Sequence, residues 1–205
     1  LEKLKGHPDI RIGAQSVGHV SYVAGRLFAY FLDMKQPKFI AGYSSREVDI
    51  ALVSGELDAR ANNATSVLRR NPDWFEKKLM NFHAIMEVPK GDKHARLGHL
   101  PEIESFAKTE KEKKLISLWR AFRGVGSPYI LPPGTPKDRV EILSKAMNAT
   151  FKDPEFGPYF KKIVADDASP LGAAELRKVV AEIPRDAETI ELLRTFAGPG
   201  PLPPR

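Results

Sequence analysis

Two turns of this chain place serines, a histidine and a glycine where an extended run gives way to a helical one. The first is QSVGHVS, with Ser16, Gly18, His19 and Ser21; the second is GYSSRE, with Tyr43, Ser44, Ser45 and Arg46. A carboxylate is held well in such a place. Backbone N–H groups at a helix start carry about half a positive charge, a glycine lets the backbone come close, and hydroxyl or imidazole groups add donors. Tyr43 can stack on a ligand or hydrogen-bond to it, and Arg46 is either a solvated surface residue or a carboxylate clamp. The same residues also read as ordinary helix punctuation, Ser-x-x-Glu being common at helix starts, so spacing alone leaves both readings open. A third polar stretch, DARANN, supplies Asp58, Asn62 and Asn63. Asp58 reads equally as the end of a strand, and Asn62 is the better cleft candidate.

Covalent and metal chemistry find little support. The chain has no cysteine, which removes disulfides, thiolate nucleophiles and iron–sulfur clusters. Its five histidines are scattered, and His94 with His99, the pair close in sequence, lacks helical spacing and a third ligand. Nucleophile-elbow, phosphate-loop and dinucleotide motifs are absent, and GVGSP leads into prolines rather than into a helix. Asp166 and Asp167 read as solvated loop carboxylates. No catalytic residue, metal or cofactor is therefore expected.

The elements that position the two turns alternate. IRIGAQ (10–15) reads as a strand, followed by an amphipathic helix over about 19–32; KFIAGY (38–43) is the next strand, followed by the helix REVDIALVSGEL with Val48, Leu52 and Leu57 inward. A third extended piece, a helix through Leu68, an anchor of Trp74 and Phe75, a strand over 82–89 and a helix over about 109–122 follow. Trp74, Trp119 and Phe122 read as packing residues. The run YVAGRLFAYFL is too short to cross a bilayer and contains Arg26. The net charge of +6 comes from lysines and arginines interleaved with acids, as in KTEKEKK, so no nucleic-acid partner is expected.

The second half turns on SPYILPPGTPKDRVEILSKAMNATFKDPEF. Tyr129, Ile130 and Leu131 favour a strand that Pro132 and Pro133 must stop. Thr135, Pro136 and Asp138 then announce a helix whose Val140, Leu143, Met147 and Phe151 face a body of protein. Asp153 and Pro154 open a second helix, and helices over 169–183 and 186–196 follow. The composition thus reads as α/β: a lobe over 1–126, a crossing and mainly helical part over 127–197, and a flexible tail, GPGPLPPR, over 198–205. The second lobe is expected to be incomplete, lacking a segment on its N-terminal side.

With those stretches in view, the chain resembles the substrate-binding proteins of tripartite tricarboxylate transporters, the TctC or Bug family. The resemblance rests on IGAQSVGHVSYVAGRLF, on FIAGYSSREVDIALVSGELDA, and above all on the Pro-Pro-Gly-x-Pro turn, helix and Asp-Pro of the crossing. It departs from the family in GYSSREVDIA, in the polar GELDARANN, and in a missing leader and first ligand loop. The resemblance implies the two-lobed periplasmic-binding-protein type II fold, with Ser127 to Pro136 as the return crossing. It implies a small organic carboxylate held in an interlobe cleft by Ser16, Gly18, His19, Ser21, Tyr43, Ser44, Ser45, Asp58 and Asn62. It further implies a periplasmic location and delivery to membrane transporter subunits. Two rivals use the same fold: the effector-sensing region of a LysR-type regulator and an enzyme.

Overall fold

After a short helix α1 (Glu2–Gly6), Arg11–Ala14 forms strand β1, whose burial on both faces leaves it no solvent side. The structure, a computed structural model, describes residues 2–205. Helix α2 (Val20–Phe31) leads to strand β2 (Lys38–Ala41), which pairs with β1 in parallel from Arg11 opposite Lys38 to Ala14 opposite Ala41. Parallel neighbours need a crossover, and α2 supplies it. Helix α3 (Ser45–Val53) returns the chain, and Ala59 joins β1 by a parallel bridge to Ile12. The third extended piece goes no further than that bridge.

Helices α4 (Ala64–Arg70) and α5 (Asp73–Glu76) follow, then α6 (Glu110–Gly124), α7 (Lys137–Lys152), α8 (Phe156–Val164), α9 (Ala173–Ala181) and α10 (Ala187–Ala197). The fold is mixed α/β and mostly helical, with one two-stranded parallel sheet among the described residues. The strand expected over 82–89 is reduced to a bridge between Ile85 and Glu102, beside a 3₁₀ turn at Ile103–Phe106.

The chain divides into two units. The first takes the described residues up to Asn63, then Phe82–Arg120 and Pro184–Arg205. Its core is the apolar face of α2, with Val23, Leu27, Tyr30 and Phe31 against Leu115, Ile116 and Trp119 of α6 and Phe196 of α10. Tyr30 and Phe196 meet edge to face at 5.2 Å. A smaller cluster of Val48, Ala51 and Leu57 seats α3 on the sheet. The second unit takes Ala64–Asn81 and Ala121–Ile183.

These boundaries differ from the division at 126 and 197. Helix α10 belongs with the first unit because its aromatic residue fills the core beside α2. The tail expected to be flexible is docked there too. Leu202 packs on that core, and Arg205 pairs with Glu112 and Asp33 at 2.8 Å each.

In the second unit, α7 and α8 join through Phe151, Phe156 and Phe160, with ring centroids 5.5 and 5.7 Å apart. The rest of the apolar face expected to pack is at most half-buried. Val140 and Leu143 are 38% and 47% exposed, and α7, α8 and α9 contain no buried residue. Tyr129 and Ile130 are exposed and form no strand, since nothing pairs with them and the prolines that follow donate no hydrogen bond. Helix α7 starts at Lys137 with Pro136 as its cap, and the Thr135 hydroxyl donates back to the Pro132 carbonyl at 2.7 Å, so Thr135 does not cap the helix. Phe122 is 45% exposed, unlike the buried Trp74 and Trp119.

Candidate functional site

Both polar turns emerge at the carboxyl ends of β1 and β2, the edge at which open parallel sheets hold ligands. The Gly42 amide donates to the Gln15 carbonyl at 2.9 Å, which holds the turns side by side. Helices α2 and α3 begin directly after them, so two helix starts share one edge.

In the first turn the His19 amide donates to the Ser16 carbonyl at 3.1 Å, and Gly18 takes a φ of 78°, as the third residue of such a tight turn requires. His19 caps α2 through its ring: Nδ1 accepts the Ser21 amide at 3.2 Å and lies 2.9 Å from Ser21 Oγ. An accepting Nδ1 places the ring proton on Nε2. The Ser21 hydroxyl therefore gives its hydrogen to His19 while accepting the Gln15 amide at 3.4 Å. Ser21 thus positions His19 and has no hydrogen left for a ligand. Ser16 is exposed, and His19 keeps its Nε2–H as a donor.

In the second turn Ser44 caps α3. Its hydroxyl accepts the Glu47 amide at 3.3 Å, and its own amide donates to Glu47 at 2.6 Å. That amide bond, with the hydroxyl, holds the Glu47 carboxyl below its ordinary range. Ser45 accepts from Arg60 through its carbonyl at 2.9 Å and its hydroxyl at 3.3 Å. Ser45 only accepts in these bonds and retains a hydroxyl hydrogen to donate, whereas the Ser44 hydroxyl hydrogen is committed to the Glu47 carboxylate.

Arg60 is a residue that the sequence reading missed. It forms a buried ion pair with Asp49, their side chains 6% and 7% exposed, and so fastens the extended piece after Ala59 to the start of α3. A signal was present: Asp49 follows the inward Val48 on α3, and a carboxylate on a packing face needs a cation.

Two expected site residues point elsewhere. Asp58 lies beside Arg11 at the opposite end of β1, where its carboxylate takes a two-pronged ion pair at 2.7 Å. The Tyr43 hydroxyl donates to Glu56 at 2.5 Å, and that bond first, then partial burial, raises the phenol's pKa. Neither side chain is available at the carboxyl edge. Asn62 is exposed, and its Oδ1 accepts the neighbouring Asn63 amide at 2.9 Å.

What remains at the edge is a set of donors: Ser16, the Gly18 backbone, the His19 Nε2–H, and the hydroxyl of Ser45. Such a set can receive an anion, beside the hydrogen-bonded Ser21 hydroxyl and His19 ring. Among the described residues no group of three or more histidines and carboxylates is placed to hold a metal ion, and no helix is long and apolar enough to cross a membrane. No model of a known protein family matches the chain, and no curated protein matches it.

Proposed function

We propose that the chain is the ligand-binding part of a solute receptor that takes a small organic carboxylate at the carboxyl edge of β1 and β2. The observation that carries this reading is the Gly42-to-Gln15 hydrogen bond, which sets two helix starts and their polar turns together. Partial positive charge from α2 and α3 then acts on one small volume, with Ser16, His19 and Ser45 around it. Asp58, Tyr43, Ser21 and Ser44 act as supports.

The finer reading belongs to the same proposal: a type II periplasmic binding fold, a tripartite tricarboxylate transporter as recipient, and a periplasmic location. Its support is the sequence resemblance together with the way the early and late parts of the chain share one unit while 121–183 falls in the other. Titration of the protein with mono-, di- and tricarboxylates, followed by calorimetry and thermal unfolding, tests it. Ligand at about 100 times its dissociation constant adds roughly 2.7 kcal/mol to stability. A selective rise in the unfolding temperature supports the reading, and a transition that no carboxylate moves refutes it.

A further inference from the structure

Arg26 is 2% exposed on α2, and no carboxylate stands against it among the described residues. Its hydrogen bonds all leave from Nη2, to the carbonyls of Gly200 at 2.8 Å, Pro201 at 3.3 Å and Thr195 at 3.4 Å. Its Nε is buried without a partner. The guanidinium lies over the rings of Phe39 and Tyr22, 5.0 and 5.4 Å from their centroids.

Arg205 shows the contrast. Its side chain is 9% exposed, and it is neutralised by Glu112 and Asp33 at 2.8 Å each. Burial of a cation without a counter-charge is costly, and carbonyl dipoles and ring faces offset only part of that cost. What Arg26 lacks is an anion.

Space for one lies beside it. A cavity of about 620 Å³ is bordered by Tyr22, Arg26 and Tyr30 of α2, by Phe39 of β2, and by Pro201 and Leu202 of the docked tail. That volume falls within the range of about 300–1,000 Å³ typical of small-molecule sites. Asp33 also borders it, but Lys108 at 2.9 Å and Arg205 at 2.8 Å hold that carboxylate, so the wall does not repel an anion. Aromatic rings and a proline offer a flat apolar body a place to lie, and one unsatisfied guanidinium offers its charge a partner.

The geometry points to a second binding site, separate from the carboxyl edge of the sheet, in which Arg26 receives the carboxylate of a small aromatic acid whose ring packs among Tyr22, Phe39 and Pro201. The ligand needs both parts. A carboxylate without a ring leaves the apolar walls wet, and a ring without a charge leaves Arg26 unpaired.

The test is a titration of the ¹⁵N-labelled protein, following the Nε–H resonance of Arg26 and the amides of residues 16–21. The probes are benzoate, its neutral counterpart benzamide, and acetate. Benzoate is expected to move the Arg26 resonance along a saturable curve, acetate to do so more weakly, and benzamide to leave it in place. Arg26→Lys should weaken benzoate binding about 10- to 100-fold, the range expected for losing a hydrogen bond to a charged group. Phe39→Leu, which keeps the charge and shrinks a wall, should weaken it too, and it carries the test if the lysine variant fails to fold. An Arg26 resonance unmoved by benzoate, or a benzoate affinity unchanged in both variants, overturns the site. Shifts confined to residues 16–21 overturn it as well while supporting the turn site.

Discussion

Arg11 donates three hydrogen bonds to the carboxylate of Asp58: from its amide at 2.9 Å, from Nε at 2.7 Å and from Nη2 at 2.7 Å. The guanidinium also donates to the Gly55 carbonyl at 2.8 Å, so one side chain ties the start of β1 to the chain that returns from α3. The hydrogen bond from Arg11, against a smaller opposing effect of burial, pulls the Asp58 carboxyl down to about 2.

A depressed carboxyl stabilises the fold above its unfolded pKa, about 3.9, and that stability is lost as pH falls through the folded value. Denaturant unfolding should therefore show a loss between about pH 4 and pH 2 that Asp58→Asn removes. The Arg11 and Asp58 side chains are 41% and 34% exposed, so solvent screens the pair, and the neutral-pH cost of the substitution is on the order of 1 kcal/mol. An unaltered acid limb in the variant would show that other carboxylates govern it.

Gly13 occupies the middle of β1, and a β-carbon there would clash with Leu57 and come within 3.0 Å of Val48 Cγ1. Alanine favours an extended chain over glycine by roughly 0.5–1 kcal/mol, while overpacking a filled core costs about 1–3 kcal/mol. Packing wins. Gly13→Ala should lower the unfolding free energy by a net of about 1 kcal/mol (range roughly 0–2.5), read as a lower denaturant midpoint at unchanged slope; a stabilised variant would mean that Leu57 can move aside.

Arg205 is the cation for Glu112, whose side chain is 5% exposed, and it also donates to the carbonyls of Tyr30 at 3.2 Å and Phe31 at 2.7 Å. Arg205→Met leaves that carboxylate buried without its partner, a change that costs about 3 kcal/mol. The amides of Lys108 and Thr109 still reach Glu112, which sets the loss near the low end of what breaking a buried pair costs. Urea unfolding of wild type and variant gives the number, and proteolysis reports whether the tail has come away.

Tyr30 titrates late. Burial first, then the nearby Glu112 charge, raises its phenol to about 12. A raised pKa stabilises the fold fully below the unfolded value near 10, and that contribution is lost as pH rises from there toward 12. Ultraviolet titration should show one tyrosine ionising well after the exposed ones, and Tyr30→Phe should remove that late step.

The front of the first unit was legible in sequence because its signals are local. Ser44 followed by Glu47 sets a helix start within four residues, and Gly18 marks a turn within three. The partners of Asp58 and Tyr43 were not legible in that way. Arg11 stands 47 residues from Asp58 and Glu56 stands 13 from Tyr43, and side chains that look free in a local window are committed by such distant bonds. Arg26 read as a polar interruption of an apolar run, since nothing local announces that the tail returns over it. Tyr129 to Leu131 misled in the other direction: strand preference is realised only where a neighbouring strand accepts the pairing.

Ser16 and Ser44 separate binding from folding. The Ser16 hydroxyl is exposed at the carboxyl edge, so Ser16→Ala should change stability by less than about 0.5 kcal/mol. In the proposed site it donates to an anion, and its loss should weaken carboxylate binding about tenfold. Ser44 carries a cap instead. Its hydroxyl accepts the Glu47 amide at 3.3 Å, and removing a serine cap costs about 1 kcal/mol whether or not ligand is present. Calorimetric titration and denaturant unfolding of both variants should therefore divide: affinity falls without stability for Ser16→Ala, and stability falls in each case for Ser44→Ala. Unchanged affinity in Ser16→Ala would remove the first turn from any binding site and leave it as the start of α2.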